Sequence, residues 1–387
     1  MAVKEKLKVQ IVNRNASALT LRTSCPDDEY YKALSGCVRT LRVSSLGAQR
    51  CDRKRLIEAF GKPSVVPQAL LDIFELGHAV EPLILKRLVR DGWSVEENNA
   101  DDRKLRFLFP LRGGFVTGTP DAVVSHETRS KGLDVLCDAK TMNENRFTAW
   151  LNGRPTRNAA QENERRHGAF SVPHAGAKLS HTETVFPEYY FQVSAYAMAA
   201  GLDVGMITGY NKNTSACRSE MFATNPELVN AVFLRAELAL TATDTNGISG
   251  CRGNCGDCFY RDACKGLFGT SGMAELKKEF ARRPPLMEDY DPVTVLAYVF
   301  DLTDERGRSV PAPSKAAFSR MLGGRDGEGV PQVVIAPELM SEQEREEAAE
   351  RPDAPFFGDS PNGANIEKTR PAETAAPWME DEEEVMR

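Results

Sequence analysis

The chain has 387 residues, with 41% hydrophobic and 27% charged side chains and a formal net charge of −6. This length allows one large domain or two small ones with a full hydrophobic core, and one catalytic domain with additions fits best. The start, MAVKEKLKVQIVNRN, has no continuous apolar core, which excludes a signal peptide or membrane span there and predicts a soluble, cytoplasmic protein without membrane contact.

The charge is unevenly distributed along the chain. Residues 341–387 hold fourteen acidic and five basic side chains, a net charge of −9, so residues 1–340 carry +3. Phosphate contacts depend on the local placement of Lys and Arg rather than on the total charge. The composition therefore allows a nucleic-acid partner and argues against a histone-like coating protein.

The first predicted elements are strands and one helix. Apolar and polar residues alternate over 1–40, which predicts a strand-rich extension ahead of the main fold. Ser44 and Ser45 then cap a predicted helix that passes through Cys51 and Phe60 and ends at Gly61.

A long amphipathic helix is predicted over 67–91. Its apolar residues recur at spacings of three and four, and His78 and Glu81 lie on the same inward face. A lone His on such a stripe is most often an ordinary core residue. As a third cation ligand, the imidazole of His78 would favour Mn²⁺ over Mg²⁺.

Two adjacent antiparallel strands are predicted next, in the segments FLFPLRGGFVTGTPDAVV and LDVLCDAKTM. They carry Asp121 and Asp138, and strand alternation places Lys140 on the same face as Asp138. The two carboxylates would hold Mg²⁺ or Mn²⁺, while Lys140 orients water or stabilises charge on a phosphate. The alternative is a solvated strand face, but both flanks are apolar, and unpaired charge at the edge of a core is costly.

The middle of the chain predicts a loop followed by alternating helices and strands. Residues 143–187 lack a period and are rich in Arg and His, which indicates a long, basic functional loop. Helices over 187–201 and 225–243 flank a strand at 204–212. The element order predicts the α/β class, with a mixed central sheet flanked by helices.

Gln192 and Tyr196 are one turn apart on the first of these helices, so their side chains point together. They either pack the helix or position a phosphate or water in an active site.

Nine cysteines in a chain without a secretory segment argue against a disulfide framework and favour metal binding. The spacing Cys255-x₂-Cys258-x₅-Cys264 puts three thiolates on a short loop. Cys251 as the fourth ligand would give a local zinc site, whereas Cys51 would join the two ends of the catalytic domain around an iron–sulfur cluster. The spacing from Cys251 fits a zinc ribbon poorly, which favours Cys51.

The C-terminal part predicts short helices at 272–284 and 292–302, and then a disordered segment. Residues 341–387 are too rich in Gly, Pro, Glu and Ala to offset chain entropy by burial. The acidic run from Trp378 to Glu384 is interpreted as a solubilising tail, with a docking peptide for a protein partner as the alternative.

These motifs together resemble the PD-(D/E)XK nucleases of the RecB type that carry an iron–sulfur cluster, and are similar to the CRISPR-associated RecB-like exonucleases and the AddB nuclease domain. The resemblance covers about residues 40–268 and rests on six motifs in the family's order: Ser44-Ser45-Leu46 with Cys51, Gly77-His78, Gly118-Thr119-Pro120-Asp121, Asp138-Ala139-Lys140, Gln192-x₃-Tyr196 and Cys255-x₂-Cys258-x₅-Cys264.

The resemblance implies a role for each of these residues. It implies cation ligands at His78, Asp121 and Asp138, with help from the carbonyl of Ala139. It further implies a catalytic Lys140, a substrate-facing Gln192 and Tyr196, and a [4Fe–4S] cluster on Cys51, Cys255, Cys258 and Cys264. Asp138 stands where glutamate is common in the family. A phage-type recombination or replication nuclease is the setting that the resemblance suggests.

The resulting hypothesis is a Mg²⁺- or Mn²⁺-dependent deoxyribonuclease that acts as an exonuclease on single-stranded DNA ends in recombination, repair or replication. Its predicted organisation is an N-terminal extension at 1–40, the nuclease domain with its cluster at 41–270, a C-terminal extension at 271–340 and the acidic tail at 341–387. The rival hypothesis is a catalytically silent DNA-binding or adaptor protein that keeps the fold and cluster.

Overall fold

The computed structural model of the chain describes residues 6–323, apart from 16, 48–50, 63–65, 99–103, 155–179, 251–254 and 256–257. Contacts divide the chain into two units, Met1–Val334 and Ile335–Arg387, and every described residue belongs to the first unit. The predicted disordered tail at 341–387 lies outside the described residues, and so does the central part of the predicted basic loop.

The described strands form two mixed sheets. In chain order they are β1 (Lys8–Arg14), β2 (Leu19–Thr23), β3 (Thr40–Arg42), β4 (Ser94–Glu97), β5 (Lys104–Leu111), β6 (Gly114–Gly118), β7 (Ala122–Ser125), β8 (Val135–Met142), β9 (Val204–Asn211), β10 (Cys217–Ala223) and β11 (Asp301–Thr303). One sheet has the order β11-β1-β2-β5-β6-β3, and the other has the order β10-β9-β8-β7-β4.

Parallel pairs occur in both sheets. In the first, β1 pairs with β11 and β3 with β6 in parallel, while the remaining pairs are antiparallel. In the second, β8 and β9 run parallel, and the others are antiparallel.

The helices flank these sheets. In chain order the described ones are α1 (Asp27–Cys37), α2 (Val43–Leu46), α3 (Asp52–Ala59), α4 (Gln68–Arg90), α5 (Glu144–Leu151), α6 (His181–Val185), α7 (Pro187–Ala200), α8 (Pro226–Thr241), α9 (Arg261–Phe268), α10 (Met273–Arg282), α11 (Pro292–Val299) and α12 (Lys315–Met321). None of the helices within the described ranges has both the length and the apolar content needed to cross a bilayer.

Helix α7 is the element that connects the two sheets. It contacts β8 and β9 of one sheet and β2 and β5 of the other. Its side chains are buried on nearly every face, so it lacks the polar stripe of a surface helix. Pro187 begins it at a position where a proline costs no hydrogen bond, and Gly201 ends it with a φ of 72°, which favours glycine. This placement carries Gln192 and Tyr196 into the space between the sheets.

The α/β class and several predicted elements are confirmed. The structure has α4, α7, α8 and β9 close to their predicted ranges, and β7 pairs antiparallel with β8. The prediction of one central sheet is wrong, since the strands form two. Pro120 explains the division, because it follows β6 and cannot donate to a ladder, so β6 and β7 enter different sheets.

The helix predicted from Ser44 to Phe60 is also wrong in its extent. The chain instead forms the short α2, with Arg42 rather than a serine as its N-cap, and the separate α3. Gly47 follows α2 where a Cβ atom would lie 2.9 Å from Phe191 of α7. Gly47 thus allows the end of α2 to pack closely against α7, a long-range contact that a local sequence pattern does not indicate.

Candidate active site

A pocket of about 250 Å³ collects the predicted site residues. It opens between the edges of the two sheets and α4, and its lining includes six residues singled out by the sequence: His78, Asp121, Asp138, Lys140, Gln192 and Tyr196. These residues come from four different elements or their ends, so the fold brings together side chains that lie more than one hundred residues apart.

Strand pairing sets the position of the two aspartates. Ala122 of β7 is opposite Cys137 of β8, and the same register continued by one residue places Asp121 across from Asp138. Asp121 Oδ2 accepts a hydrogen bond of 2.7 Å from the backbone N–H of Ala139. The two carboxylates therefore face each other at the end of a strand pair.

Asp138 is fully buried, and its Oδ2 lies 2.5 Å from Lys140 Nζ in an ion pair. Within the described part of the chain, no group donates a hydrogen bond to its Oδ1. Buried carboxylate oxygens without donors are rare because their desolvation is not repaid. The arrangement of Asp138 thus leaves coordination sites open for a cation.

Lys140 is held in its charged form. Burial disfavours the ammonium, but the carboxylates of Asp138 and Asp121 outweigh burial and raise the pKa of Lys140 above its ordinary value. At neutral pH this side chain is therefore a fixed positive charge and a hydrogen-bond donor, and it does not serve as a base.

Asp121 responds in the opposite sense to its surroundings. Burial and the neighbouring carboxylate of Asp138 raise its pKa well above the ordinary value, while Lys140 acts against them. Two close carboxylates cannot both ionise without compensation. A divalent cation held by both carboxylates would offset this repulsion.

This repulsion predicts that Asp121→Asn stabilises the protein without added metal. A folded-state pKa above the unfolded value means that this group's contribution to stability is greatest below the ordinary pKa of 3.8 and falls as pH rises. At pH 7 the variant should melt about 2 °C or more above the wild type, since ~1 kcal/mol shifts a large domain by about 2–4 °C. The measurement is a thermal melt in chelator.

The gain should shrink as the pH falls below 3.8, where the wild-type carboxyl becomes protonated in the unfolded state as well. The exposed Asp134 directly precedes β8, the strand that pairs with β7, and Asp134→Asn serves as the matched control with no expected shift. A midpoint of Asp121→Asn at or below that of the wild type at pH 7 would contradict the repulsion.

Gln192 and Tyr196 form a hydrogen-bonded pair beside the carboxylates. Gln192 Nε2 donates to Tyr196 Oη at 3.4 Å, and both side chains are buried. Burial and the charge of Asp138 raise the pKa of Tyr196. The phenol stays protonated at neutral pH and can donate a hydrogen bond into the pocket.

Gly118 makes room for this tyrosine. A Cβ atom at position 118 would lie 2.6 Å from Tyr196 Oη, so the ring would have to move. We expect Gly118→Ala to destabilise the protein by about 1–3 kcal/mol through overpacking. Denaturant unfolding measures this change. Gly36→Ala in α1 is the control, because the new methyl group meets nothing within 4 Å; similar costs for both variants would show that Tyr196 is not tightly held.

His78 lies at the mouth of the pocket but is mostly solvated. Its side chain is 83% exposed, and its Nδ1 lies 3.9 Å from Glu81 Oε2. Across the residues with a described position, no three His, Cys, Asp or Glu side chains stand together as a metal-binding group. The structure thus brings Asp121, Asp138 and Lys140 together and leaves His78 at the rim, and its predicted role as a ligand stays a prediction.

Three charged residues that line the pocket, Asp27, Lys104 and Arg106, were not predicted from the sequence. Arg106 forms an ion pair with Asp27, and its Nη2 donates to the carbonyl of Cys25 at 2.7 Å. Lys104 Nζ lies 3.3 Å from Asp27 Oδ2. Burial disfavours the carboxylate of Asp27, but Arg106 and Lys104 outweigh burial and lower its pKa. The sequence does contain one signal for this group: Arg106 lies within an apolar strand, and a buried arginine needs a charged or polar partner.

The cysteines of the predicted cluster lie around the contact between α3 and α9. Cys51 is the N-cap of α3, and Cys264 lies in α9. Lys54 Nζ lies 5.4 Å from the ring centroid of Tyr260, which is two residues after Cys258. The fold therefore brings the Cys51 end of α3 towards the later cysteines, while Cys251 lies outside the described residues.

Cys264 has Cys255 and Cys258 as electrostatic neighbours. Burial, together with these two thiols, raises the pKa of Cys264, while Arg53 acts in the opposite direction. Three sulfurs thus share one neighbourhood, although the described side chains do not form a group placed to hold a single ion.

A buried polar network fixes α3 in place. Asp52 Oδ1 accepts from Arg55 at 2.9 Å and from Arg235 of α8 at 3.2 Å, and its Oδ2 accepts from Ser249 at 2.6 Å. Because Asp52 follows Cys51 directly, this network holds Cys51 close to the segment that leads into the later cysteines.

Comparison with protein families gives no matching family model, and no curated protein matches the chain significantly. Among solved structures, an alkaline exonuclease (LHK-Exo) from Laribacter hongkongensis is similar over 55% of this chain and 90% of its own, with 14% identity and a TM-score of 0.34. SSO0001 is similar over 62% of this chain and 97% of its own, with 12% identity and a TM-score of 0.30. TM-scores this low do not establish a common fold, so the chemistry of the site must be judged from its own residues.

Proposed function

We propose that the chain is a cation-dependent nuclease that hydrolyses phosphodiester bonds in DNA. The observation that carries this proposal is the buried Asp138, which pairs with Lys140 through Oδ2, has no hydrogen-bond donor at Oδ1 among the described residues, and faces Asp121 in one pocket. Two carboxylates and a fixed ammonium suit a divalent cation next to a phosphate.

The residues fit Mg²⁺ or Mn²⁺ in the form in which proteins usually hold Mg²⁺, with one or two carboxylates and the remaining positions filled by water or substrate. Asp121 and Asp138 would be the main ligands, with the carbonyl of Ala139 and the imidazole of His78 as the further ligands that the family resemblance implies. When bound, such a cation polarises a phosphate and lowers the pKa of a nearby water.

The side chains of the site have separate tasks in this proposal. Lys140 supplies a permanent positive charge against the negative charge that grows on the phosphate during attack. Tyr196 donates a hydrogen bond, and Gln192 fixes the orientation of the phenol. Lys104 and the buried Arg106 share the single carboxylate of Asp27, so these three groups keep a net positive charge in the lining, where the flanking phosphates of a strand would pass.

The form of the proposal is exonuclease action on single-stranded DNA ends, in recombination, repair or replication, as the family resemblance suggests. A pocket of about 250 Å³ lined from both sheets would hold the reacting part of such a strand.

A [4Fe–4S] cluster on Cys51, Cys255, Cys258 and Cys264 belongs to the same proposal. The donor set is suitable, since thiolates are the usual ligands of such clusters and each binds a different iron. Zinc with Cys251 in place of Cys51 is the alternative. In either case the metal would join α3 to the region before α9 and stabilise the fold.

The test is an assay of purified protein on end-labelled DNA with Mn²⁺, with Mg²⁺ and with chelator. The proposal expects shortened products with either cation and none with chelator. The rival is a DNA-binding or adaptor protein, which the lack of a three-ligand group among the described side chains favours. DNA retained without turnover at saturating Mn²⁺ would support the rival and reject the nuclease.

A further inference from the structure

A second groove lies beyond the proposed active site, along the exposed face of α5. It has a volume of about 920 Å³, and the described residues that line it are Asn143, Asn145, Arg146, Thr148, Ala149, Asn152 and Arg154. Amides, guanidinium groups and a hydroxyl dominate this lining, and no carboxylate occurs among its described members. Such a surface suits a negatively charged ligand rich in hydrogen-bond acceptors.

The groove is connected to the active site through Tyr189. Lys140 Nζ lies 5.4 Å from the centroid of this ring. Arg146 Cζ lies 5.7 Å from the same centroid, and Arg146 Nη2 donates to Tyr189 Oη at 3.2 Å. Two cations therefore flank one aromatic ring. Arg146 Nη2 also lies 3.8 Å from Glu188 Oε1, a partly exposed ion pair that offsets part of its charge.

The groove and the proposed active site are also adjacent along the chain. Strand β8 carries Asp138 and Lys140 and leads directly into α5 through Asn143, whose side chain accepts a hydrogen bond of 2.9 Å from the backbone of Arg146. Helix α5 is thus fixed with respect to the proposed active site.

The acidic residue of α5, Glu144, makes hydrogen bonds within the protein. Glu144 accepts a hydrogen bond from Thr148 at 3.0 Å and another from Asn211 of β9. Asn145, Thr148 and Asn152 are separated by three and four residues, so they lie on one face of the helix and its end. The charge of Glu144 is therefore partly satisfied within the protein, while the amides of that face are exposed.

We propose that this groove binds the phosphodiester backbone of single-stranded nucleic acid next to the bond that is cut, an inference that rests on the proposed function. Phosphate oxygens accept from guanidinium and amide groups without regard to sequence. Protein interfaces usually centre on aromatic and apolar side chains, of which the described lining of this groove has Ala149 alone. Tyr189, in contact with Arg146, lies between the groove and Lys140 of the proposed active site.

The first test removes charge from the groove. Arg146→Gln combined with Arg154→Gln should weaken binding of a fluorescent oligothymidylate in chelator, where no turnover occurs. For single strands, each lost phosphate contact makes the plot of log K against log salt less steep by about 0.7. The same loss lowers the affinity about fivefold at 0.1 M salt. Fluorescence anisotropy across a salt series measures both quantities. Lys278→Gln on the exposed face of α10 is the control, with unchanged binding.

A second variant separates binding from folding. Asn145 lies in the first turn of α5, where a negative charge favours the helix. Asn145→Asp should therefore keep or raise the melting temperature and still weaken oligonucleotide binding. Binding and salt slopes equal to the wild type in both groove variants would overturn the inference, and so would an equal loss in Lys278→Gln.

The outcomes distinguish this inference from the proposed function. A wild type that binds the oligonucleotide through the groove but releases no product with Mn²⁺ supports the groove and rejects the nuclease. A wild type that cleaves DNA while the groove variants bind normally rejects the groove and keeps the nuclease.

Discussion

Asp138→Asn is expected to abolish cation-dependent cleavage of DNA while preserving the fold. The substitution keeps the size of the side chain but removes the charge that faces Lys140 and the open coordination sites. Loss of one preorganised electrostatic group at a reacting centre typically costs about 10²–10³ in rate, and loss of a main cation ligand should cost at least as much. Initial rates on end-labelled DNA across a Mn²⁺ titration measure the effect.

The exposed Asp134 provides the matched control for this experiment. Asp134→Asn makes the same chemical change just before β8 and should retain full activity. Far-ultraviolet circular dichroism and oligonucleotide binding in chelator establish that Asp138→Asn is folded. A folded Asp138→Asn variant that cleaves at the wild-type rate would remove the central support for the nuclease.

The second large effect concerns the cysteines. Cys51→Ser and Cys264→Ser are each expected to eliminate bound iron and acid-labile sulfide and to lower the melting temperature by ~10 °C or more, because a structural metal contributes on the order of 10 kcal/mol. The free energy is large because the metal would close a loop of about two hundred residues. Anaerobic iron and sulfide analysis, followed by thermal melts, measures both changes.

Two further cysteine variants make the result specific. Cys217→Ser, on β10 and away from the α3–α9 contact, should keep its metal content. Cys251→Ser should also keep it if Cys51 is a ligand, whereas the zinc alternative predicts the reverse. If a variant fails to fold, chelator-induced unfolding of the wild type gives the same information. Unchanged iron in soluble Cys51→Ser would reject the cluster assignment.

The elements that local patterns specify were predictable. The helix α4 and the strand alternation around Asp138 and Lys140 depend on neighbouring residues, and both elements were confirmed. The inward orientation predicted for His78 on α4 was wrong, since its side chain is 83% exposed. The antiparallel pairing of β7 with β8 followed from a short turn between two apolar segments. Local sequence patterns are therefore sufficient to predict that Asp121 lies near Asp138.

The features that depend on distant pairing were not predictable. Strand β10 was missed because its pattern is weak and its formation depends on pairing with β9. The role of Arg106 depends on a partner in α1, a helix that the sequence analysis did not predict. Tyr189 likewise gains its position between Lys140 and Arg146 only from the packing of α7. Long-range packing, rather than local propensity, decides each of these.

The parallel pairing of β1 with β11 has a consequence for synthesis of the protein. Lys8 is opposite Asp301, and Val295, Phe300 and Phe318 pack in the same apolar cluster as Val9. During translation, β1 is synthesised almost three hundred residues before β11, its partner at the edge of the sheet, leaves the ribosome. A fragment that stops at 270 would leave the edge of β1 and this cluster open to water, so aggregation of such a fragment would reflect an unfinished sheet.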